Sequence, residues 1–468
     1  MRMPRSGPSD CRPTPVAACL AGIFAVAAAP AMATNLVVLN CSDKDAGSLR
    51  ATVGAASTGD TIDMTGLACG VITLTTGAIT IPSLVSNLSL NGAGKDQLAI
   101  IQSGSVDRII NHQGSGTLFV SNLSVVSGYL SNALGNVYGG CIYSRGNVYL
   151  DHAAVASCTA KTQIGYAKGG GIYAVGELTA KHSTISGNAA LATVAGGKAV
   201  GGGAVANSLT AQISTIANNS AVATASATPF GGGLSIRTNV SIFASTISGN
   251  TSSGDAGGLI VLPPPPPFGP YSITITNSTV SGNSAAKFFG GVYSRVAMTL
   301  QNSTIAFNTA AFGGDGSSIL SPGLAFNAIY NDSFLVNLQS SVISNNTYGS
   351  GSTPSDFSTA GDSTHFVTVS GDNNLILAPA TTPPLLTITG SCPLLGPLRN
   401  NGGETKTQAL LSTSPAISAG NNALFLPYDQ RGAPYARAST VIPDIGAYEV
   451  DLNDVLFNSG FDGCPEVL

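Results

Sequence analysis

Two pairs of polar residues at matching places in similar segments are the first candidates for chemistry. Asp151-His152 and Lys181-His182 are separated by about 30 residues, a spacing within the range of known structural repeats. If each segment forms one coil of a repeat, the Asp stacks on the Lys and the two His stack on each other. Such a cluster would serve as a weak metal site or as an acid–base pair. A surface ion pair beside two neutral imidazoles explains the same residues, and we favour that simpler interpretation.

A second candidate set combines aromatic and cationic side chains. Tyr143 and Tyr173 have the same separation as the two polar pairs, and the tripeptide Tyr143-Ser144-Arg145 recurs as Tyr293-Ser294-Arg295. On one exposed face, such residues would stack on sugar rings or bind the carboxylates of glycans. Filling an edge of the repeat is the simpler role. The ligand-binding candidates are Tyr143, Arg145, Tyr173, Arg237, Tyr293 and Arg295.

The element that must position these residues is a six-residue motif that occurs eight times between Ser124 and Asn346. Its clearest copies are residues 183–188, 245–250 and 278–283. Because the motif recurs at intervals near the 20–50-residue periods of known repeat proteins, it predicts a solenoid, in which each unit buries its apolar face only when neighbours stack on it. The looser copies begin at Ser124, Ala153, Ser214, Ser303 and Ser341.

Two positions of the motif indicate the type of solenoid. The third position is always β-branched between small or polar neighbours, which is typical of a short strand with one inward side chain. The sixth is Asn in the last six copies, and its amide suits a turn in which it bonds the same amide one coil away. The third-position residues are Val126, Val155, Ile185, Ile216, Ile247, Val280, Ile305 and Ile343. The sixth-position residues are Asn188, Asn219, Asn250, Asn283, Asn308 and Asn346.

The fold class that follows is all-β. A Gly pair or triplet precedes most copies by about ten residues, as in residues 169–171, and another alternating run such as residues 178–180 lies between. Three short strands per repeat make one coil of a right-handed parallel β-helix, with a short N-terminal capping helix and an irregular C-terminal cap. Coils stack about 4.8 Å apart, so eight of them span roughly 40 Å. Leucine-rich and helical repeats do not fit these residues.

The N-terminal residues 1–33 have the features of a secretory signal peptide. Arginines precede an apolar core at residues 16–29, and Ala31-Met32-Ala33 provides the small residues of a cleavage site. Cleavage would remove three Arg and one Asp, which changes the net charge from −4 to −6. That charge gives no reason to bind nucleic acid or an anionic membrane. No later apolar run is long enough to span a membrane.

Six cysteines follow the predicted cleavage site, and an even number in an exported chain permits three disulfides. Proximity in sequence suggests the pairs Cys41–Cys69, Cys141–Cys158 and Cys392–Cys464. Because no Cys-x-x-Cys occurs, these residues do not predict a zinc site. We expect no metal and no cofactor.

The remaining segments define the predicted domain boundaries. Residues 46–56 form a short amphipathic helix with Ser48 as its N-cap, which covers the first coil. Pro263 to Pro267 cannot donate to a β ladder and must loop out. We predict a signal peptide at 1–33, an N-terminal cap at 34–66, a β-helix at 67–390 with regular repeats at 124–346, a C-terminal block at 391–450 and a tail at 451–468.

Three segments resemble known families of exported proteins. Cys41, Ser48-Leu49-Arg50 and Gly59-Asp60-Thr61-Ile62 resemble the N-terminal block of "CSLREA"-type β-helix proteins, although Cys41 is separated from the second element here. The C-terminal block resembles the "choice-of-anchor Q" family in its residues 414–420, 429–432 and 444–449. Residues 455–463 resemble a short tail on some proteins that Gram-negative bacteria secrete. These resemblances imply an exported β-helix of the pectin-lyase-like fold.

Enzymes of that fold that cleave acidic polysaccharides need grouped carboxylates, or an acidic calcium cluster with an Arg or Lys base. Here the acidic residues occupy different motif positions, and the Asn-Thr-Asp, Asp-Asp, Gly-His-Gly and Arg-Ile-Lys signatures are absent. We therefore predict no catalytic residue. The acidic residues between Ser121 and Ser350 are Asp151, Glu177, Asp255, Asp315 and Asp332.

The sequence thus favours a secreted or cell-surface monomer that acts as an adhesin-like rod. Its expected partners are surface glycans or other components of the cell envelope, and not nucleic acid. A divergent polysaccharide lyase or glycoside hydrolase and a purely structural spacer are the alternatives. Fold resemblance alone does not decide among them.

Overall fold

The repeated motif forms a column of neighbouring strands in a parallel β-solenoid. Its β-branched residues pair in register from Val155 through Ile185 and onward to Ile343, and all of them are buried. The all-β solenoid predicted from the repeat is therefore confirmed. The computed structural model describes residues 33–104, 106–224, 229–264, 269–312, 321–328, 333–349, 353–438 and 442–450.

Only the first motif copy is shifted from its predicted position. Val155 pairs with Val125 and not with Val126, so this copy begins at Leu123, and the prediction that it begins at Ser124 was wrong by one residue. Two consecutive valines allow either alignment, and Leu123 stands where most later copies have Ser. Val125 is buried whereas Val126 is half-buried, as expected for adjacent strand residues that face opposite sides.

Three long parallel sheets receive successive strands of each coil. Sheet 1 contains Ile79–Ile81, Ile110–His112, Ile142–Ser144, Ile172–Ala174, Ala204–Ala206, Leu234–Ile236, Leu259–Val261, Val292–Ser294, Leu324–Asn327 and Phe357–Ala360. Sheet 2 contains Asn35–Val37, Thr61–Asp63, Leu88–Asn91, Thr117–Ser121, Asn147–Asp151, Glu177–Lys181, Ser208–Gln212, Val240–Phe243, Ser272–Thr276, Ala297–Gln301, Phe334–Gln339 and Val367–Ser370. Sheet 3 contains Val71–Leu74, Ala99–Gln102, Ser124–Val126, Ala154–Ala156, Thr184–Ser186, Thr215–Ala217, Thr246–Ser248, Thr279–Ser281, Thr304–Ala306, Val342–Ser344, Asn374–Ile376 and Thr387–Thr389.

Two shorter sheets complete the coils. Sheet 4 contains Tyr129–Asn132, Thr159–Thr162, Ala189–Ala192, Ser220–Ala223, Thr251–Ser252, Ser284–Ala285, Thr309–Ala310, Thr347–Tyr348 and Thr353–Pro354. Sheet 5 contains Val137–Tyr138, Tyr166–Lys168 and Lys198–Val200. Among the described strands, only the last two of sheet 4 pair antiparallel. The apolar core lies inside the coils, where the inward side chains of sheets 1, 2 and 3 pack together.

A buried column of asparagines runs beside the β-branched column. At each step the side-chain Nδ2 of one Asn donates to Oδ1 of the next at 2.9 Å, and its backbone N–H donates to the same oxygen at 3.0 Å. Because buried polar atoms need partners, this column fixes the register of the coils. Its members are Asn188, Asn219, Asn250, Asn283, Asn308 and Asn346.

The two ends of the asparagine column differ. At its start Cys158 takes the Asn position, donating its backbone N–H to Asn188 and forming a disulfide with Cys141. At its end Asn346 donates to Oδ1 of Asp356 at 2.7 Å. Burial raises the pKa of Asp356 to about 7, against the opposing effect of the hydrogen bonds from Asn346 and the backbone of Ala378.

The N-terminal elements cover the first coil. The helix Leu49–Gly54 begins at Ser48, whose hydroxyl accepts from the backbone N–H of Ala51, and it buries Leu49 and Val53. The predicted capping helix with its Ser48 N-cap is present, but it spans Leu49–Gly54 and not the whole of residues 46–56. Arg50 holds it in place by donating to the backbone carbonyls of residues 77 and 78, both at 2.6 Å.

Two of the three predicted disulfides, Cys41–Cys69 and Cys141–Cys158, are confirmed. For the third pair, Cys464 lies outside the described residues, as do residues 1–32 of the predicted signal peptide, the tail at 451–468 and residues 265–267 of the proline run. The strands on either side of that run, Leu259–Val261 and Ser272–Thr276, keep their places in sheets 1 and 2.

The C-terminal segment, residues 391–450, packs on the outer face of sheet 3. Threonines of sheet 3 hydrogen-bond to this segment. Thr246 donates to the carbonyl of Lys406 at 2.7 Å, and Thr279 donates to Oε1 of Gln430 at 2.6 Å. Apolar residues of the segment form a second small core with Val342 and Leu375. The covered coils of sheet 3 are buried on both faces, whereas Thr184 and Thr215 of earlier coils remain half-buried.

Candidate functional site

The strands of sheets 5 and 1 meet at a corner. Between them the chain turns sharply at a glycine with positive φ. Gly139 and Gly169 both have φ +66°, and a Cβ at either position would lie within about 2.1 Å of a backbone carbonyl. Glycine adopts this turn most readily, which explains why most coils have Gly here, although Ala256 and Phe289 take the same left-handed position in later coils. As a result Tyr138 of sheet 5 faces Tyr173 of sheet 1, with ring centroids 4.8 Å apart.

Tyrosines and cations gather at this corner. Tyr143 and Tyr173 pair in register, and their rings stack with centroids 5.9 Å apart and planes 5° apart. The guanidinium of Arg108 lies 5.0 Å from the Tyr143 centroid, and Nζ of Lys168 lies 6.0 Å from that of Tyr138. We call Arg108, Tyr138, Tyr143, Lys168, Tyr173 and Arg237 the tyrosine–cation cluster.

Partial burial perturbs three of these groups. Burial lowers the pKa of Arg108, with Asp107 and Tyr143 opposing the effect. Burial lowers the pKa of Lys168, with Tyr166 opposing and Arg237 adding to the effect. Burial also raises the pKa of Tyr173, as do Tyr138 and Tyr143, while Arg237 opposes it. Arg237, itself exposed, is therefore close enough to act on both Lys168 and Tyr173. Groups with perturbed pKa values that share a surface are typical of binding sites.

No cation of the cluster forms a salt bridge within the described residues, although the charge of the neighbouring Asp107 acts on Arg108 and opposes the lowering of its pKa. Arg108 donates through Nη1 to Asn111 at 3.0 Å, but its Nε is buried without a partner. Buried donors are normally satisfied, so this unpaired Nε is an exception within the described structure.

The other predicted ligand-binding residues lie apart from this cluster. Arg145 is exposed in the turn after Ile142–Ser144. Tyr293 continues the sheet 1 column, but it is only 4% exposed, because Phe289 stacks on it with ring centroids 3.9 Å apart. Phe289 takes the left-handed turn position, at φ +64°. Arg295 donates to the Tyr293 hydroxyl at 3.0 Å, so this pair fills an edge of the coil.

The Asp-His and Lys-His pairs stack, but their partners differ from those expected. Asp151 and Lys181 are in register, yet the ion pair of Asp151 is with its neighbour His152, at 2.7 Å. Lys181 lies instead over the ring of Tyr149. The rings of His152 and His182 stack with centroids 4.6 Å apart and planes 10° apart.

The residue that sequence reasoning missed here is Glu404. Its carboxylate lies 2.9 Å from Nδ1 of His182, although the two residues are 222 positions apart. No local pattern connects them, because the contact arises only when the C-terminal segment folds back. Tyr138 and Lys168 were also missed, but each directly precedes the Gly-Gly pair of its own repeat, so the spacing contained the signal.

Of the acidic residues between Ser121 and Ser350, the three that the structure describes are not grouped as polysaccharide-cleaving enzymes require. Asp151 and Glu177 lie at opposite ends of strands in sheet 2, and Glu177 accepts from Thr210 at 2.8 Å. Asp255 lies beyond sheet 5, where it bridges Phe230, and Asp315 and Asp332 lie outside the described residues. Within the described ranges no group of three or more His, Cys, Asp or Glu could hold a metal ion.

The C-terminal motif residues have a structural role. Asp429 and Arg431 form an ion pair at 2.8 Å with both side chains at most 1% exposed. The guanidinium of Arg431 lies between the rings of Tyr435 and Tyr448, 3.8 and 3.9 Å from their centroids. The chemistry of these residues therefore holds the segment together and does not face solvent.

Comparison with protein-family models finds no match, and comparison with curated proteins finds no relative. The resemblance to the CSLREA and choice-of-anchor Q families therefore rests on the motif residues alone. A search of the described helices finds none that is long and apolar enough to cross a membrane.

Proposed function

We propose that this protein is an exported β-solenoid that binds carboxylated glycans at the tyrosine–cation cluster without cleaving them. The observation that carries the proposal is the grouping of three cations that form no salt bridge within the described part of a chain whose net charge is −4. Guanidinium and ammonium groups are suited to carboxylates. The predicted signal peptide and the two disulfides support export, since disulfides persist in oxidising compartments.

The arrangement of the rings defines how such a glycan would bind. Tyr143 and Tyr173 stack on each other, and Arg108 covers the first of them, so their faces are already occupied. Sugar rings would therefore meet the phenol edges and hydroxyls, while carboxylates reach the cations. Coils repeat about every 4.8 Å, so an extended polyuronate lying along the solenoid axis would meet several coils.

Removal of two cluster cations should weaken this binding. The double variant K168Q/R237Q is expected to bind polygalacturonate and alginate about 10-fold or more weakly than the unchanged protein, because charged hydrogen bonds contribute about 1.5–3 kcal/mol each. Calorimetric titration of the full chain measures this, and added salt should weaken binding further. K406Q is the matched control, since Lys406 is exposed in the C-terminal segment that packs on sheet 3. Equal affinity of the double variant and K406Q would refute the proposal.

One observation favours an elimination enzyme as the second candidate. Lys168, whose pKa is lowered chiefly by burial, is the type of residue that acts as a base in removing a proton beside a carboxylate. The chain shows no acidic calcium cluster among its described residues to neutralise that carboxylate. Release of unsaturated uronate products, lost in K168Q, would establish the lyase instead of the binding protein.

A further inference from the structure

The stacked imidazoles of His152 and His182 have an arrangement that neither glycan binding nor coil packing requires. Nδ1 of His152 lies 2.7 Å from a carboxylate oxygen of Asp151, and Nδ1 of His182 lies 2.9 Å from one of Glu404. Each carboxylate therefore favours the tautomer with its proton on Nδ1, which leaves the lone pair on Nε2. In neither ring does Nε2 hydrogen-bond to the described protein.

We propose that His152 and His182 bind a divalent transition metal through their Nε2 atoms, with Asp151 and Glu404 orienting the two rings. A carboxylate on the far nitrogen of a ligating histidine is the usual support for such a ligand. Two imidazoles leave the remaining coordination positions to water. Nitrogen ligands of this kind follow the order in which Cu²⁺ binds more tightly than Ni²⁺ or Zn²⁺.

Binding requires both rings to tilt out of their nearly parallel stacked planes, because each Nε2 lone pair lies in the plane of its own ring. Metal–nitrogen distances of about 2.0–2.1 Å place two neighbouring ligand nitrogens roughly 3 Å apart, whereas the ring centroids are now 4.6 Å apart. The side chains of His152 and His182 are 55% and 30% exposed, so the rings can tilt towards each other. The described residues contain no group of three possible metal ligands. The proposed site does not require such a group, because it uses only two protein ligands.

The other two histidines lack this arrangement. His365 lies 3.1 Å from the carboxylate of Asp362 and is similarly exposed, but no second imidazole stacks on it in the described structure. His112 is buried, and its two nitrogens lie within hydrogen-bond distance of Ser144 and of the carbonyl of Ser86. His365 is therefore a matched control with one imidazole and one carboxylate.

Because Glu404 belongs to the C-terminal segment, the site would also join that segment to an early coil. Metal bound at His182 strengthens its hydrogen bond to Glu404, so loading should raise the unfolding temperature by mass action. E404Q keeps the side-chain shape but removes the charge. It should weaken metal affinity about 10- to 100-fold, as loss of a supporting carboxylate does.

The test is titration of the full chain, without an affinity tag, with Cu²⁺ alone, followed by electron paramagnetic resonance and calorimetry. We expect one equivalent bound through two nitrogens, lost in H152A and in H182A and retained in H365A. Unchanged copper affinity in H152A or H182A would overturn the proposal, as would a loss in H365A as large as theirs. Circular dichroism of each variant separates loss of the ligand from loss of the fold.

Discussion

Replacement of Arg437 by Met should lower the free energy of unfolding by about 3–5 kcal/mol, because each buried acceptor left without a donor costs about 1–3 kcal/mol. Arg437 is 0% exposed. It donates to the carbonyl of Gly446 at 2.9 Å and to Oδ1 of Asn277, and it lies 3.7 Å from the Glu449 carboxylate. Methionine fills the space but leaves these buried acceptors without a donor.

Urea unfolding followed by circular dichroism measures this effect, with R145M as the control, because Arg145 is exposed and surface changes usually alter stability by less than about 0.5 kcal/mol. Since Asn277 belongs to the solenoid, R437M should also make residues 391–450 the first part cleaved by protease. A midpoint for R437M equal to that of R145M would show that this buried contact does not hold the segment.

Stability should fall as the pH rises from about 4.5 to about 8 because of buried carboxyls. Burial raises the pKa of Glu449 to about 8, with Asp444 contributing and Arg437 opposing, and burial raises that of Asp356 to about 7. A carboxyl whose pKa is higher in the folded state favours folding while protonated. Its contribution is full below the unfolded pKa and is lost as the pH rises through the folded pKa, on the order of 4 kcal/mol for a three-unit shift.

The variant E449Q tests this sign, since Gln imitates the protonated carboxyl. Its urea midpoint should exceed that of the unchanged protein at pH 8, and the slope of stability against pH should flatten. D362N is the control, because Asp362 is exposed and hydrogen-bonded to Thr364. A slope in E449Q as steep as in the unchanged protein would contradict the assignment. Acidic groups with lowered pKa, such as Asp60, whose carboxylate accepts from the backbone of Ser57 and Thr34, act in the opposite direction at lower pH.

The regular part of the solenoid could be predicted from sequence because its contacts are between equivalent residues of successive coils. The β-branched column and the Asn positions occur once in each coil, so period alone aligns Ile185 with Ile216 and Tyr143 with Tyr173. The alignment was ambiguous only at Val125-Val126, where two adjacent residues both fit. The two short-range disulfides followed from proximity for the same reason.

The C-terminal segment could not be placed from sequence, because its contacts are not periodic. Gln430 donates to Thr246, 184 residues earlier, and Ala447 donates its N–H to Thr304, 143 residues earlier. These contacts depend on where an irregular chain turns back, which no repeat spacing encodes. For the same reason the partner of His182 had to be found in the structure.

The buried charges give a physical reason for the Asp-Gln-Arg-Gly and Asp-Ile-Gly-Ala-Tyr-Glu motifs. Arg431 donates to the carbonyl of Glu449 at 2.6 Å, and Glu449 donates its N–H to Asp429 at 2.9 Å. Each motif therefore provides hydrogen-bond partners for the other. These bonds join two parts of a segment that has little regular secondary structure. Removing one member of such a buried pair would leave the other charge uncompensated in the interior.

The most direct test of the glycan proposal is a crystal structure of the full chain with a short oligogalacturonate. We expect sugar carboxylates within hydrogen-bond distance of Lys168 and Arg237, with hydroxyls at the edges of Tyr143 and Tyr173. An oligosaccharide bound elsewhere on the solenoid, or no bound sugar at concentrations that saturate binding in solution, would contradict the account.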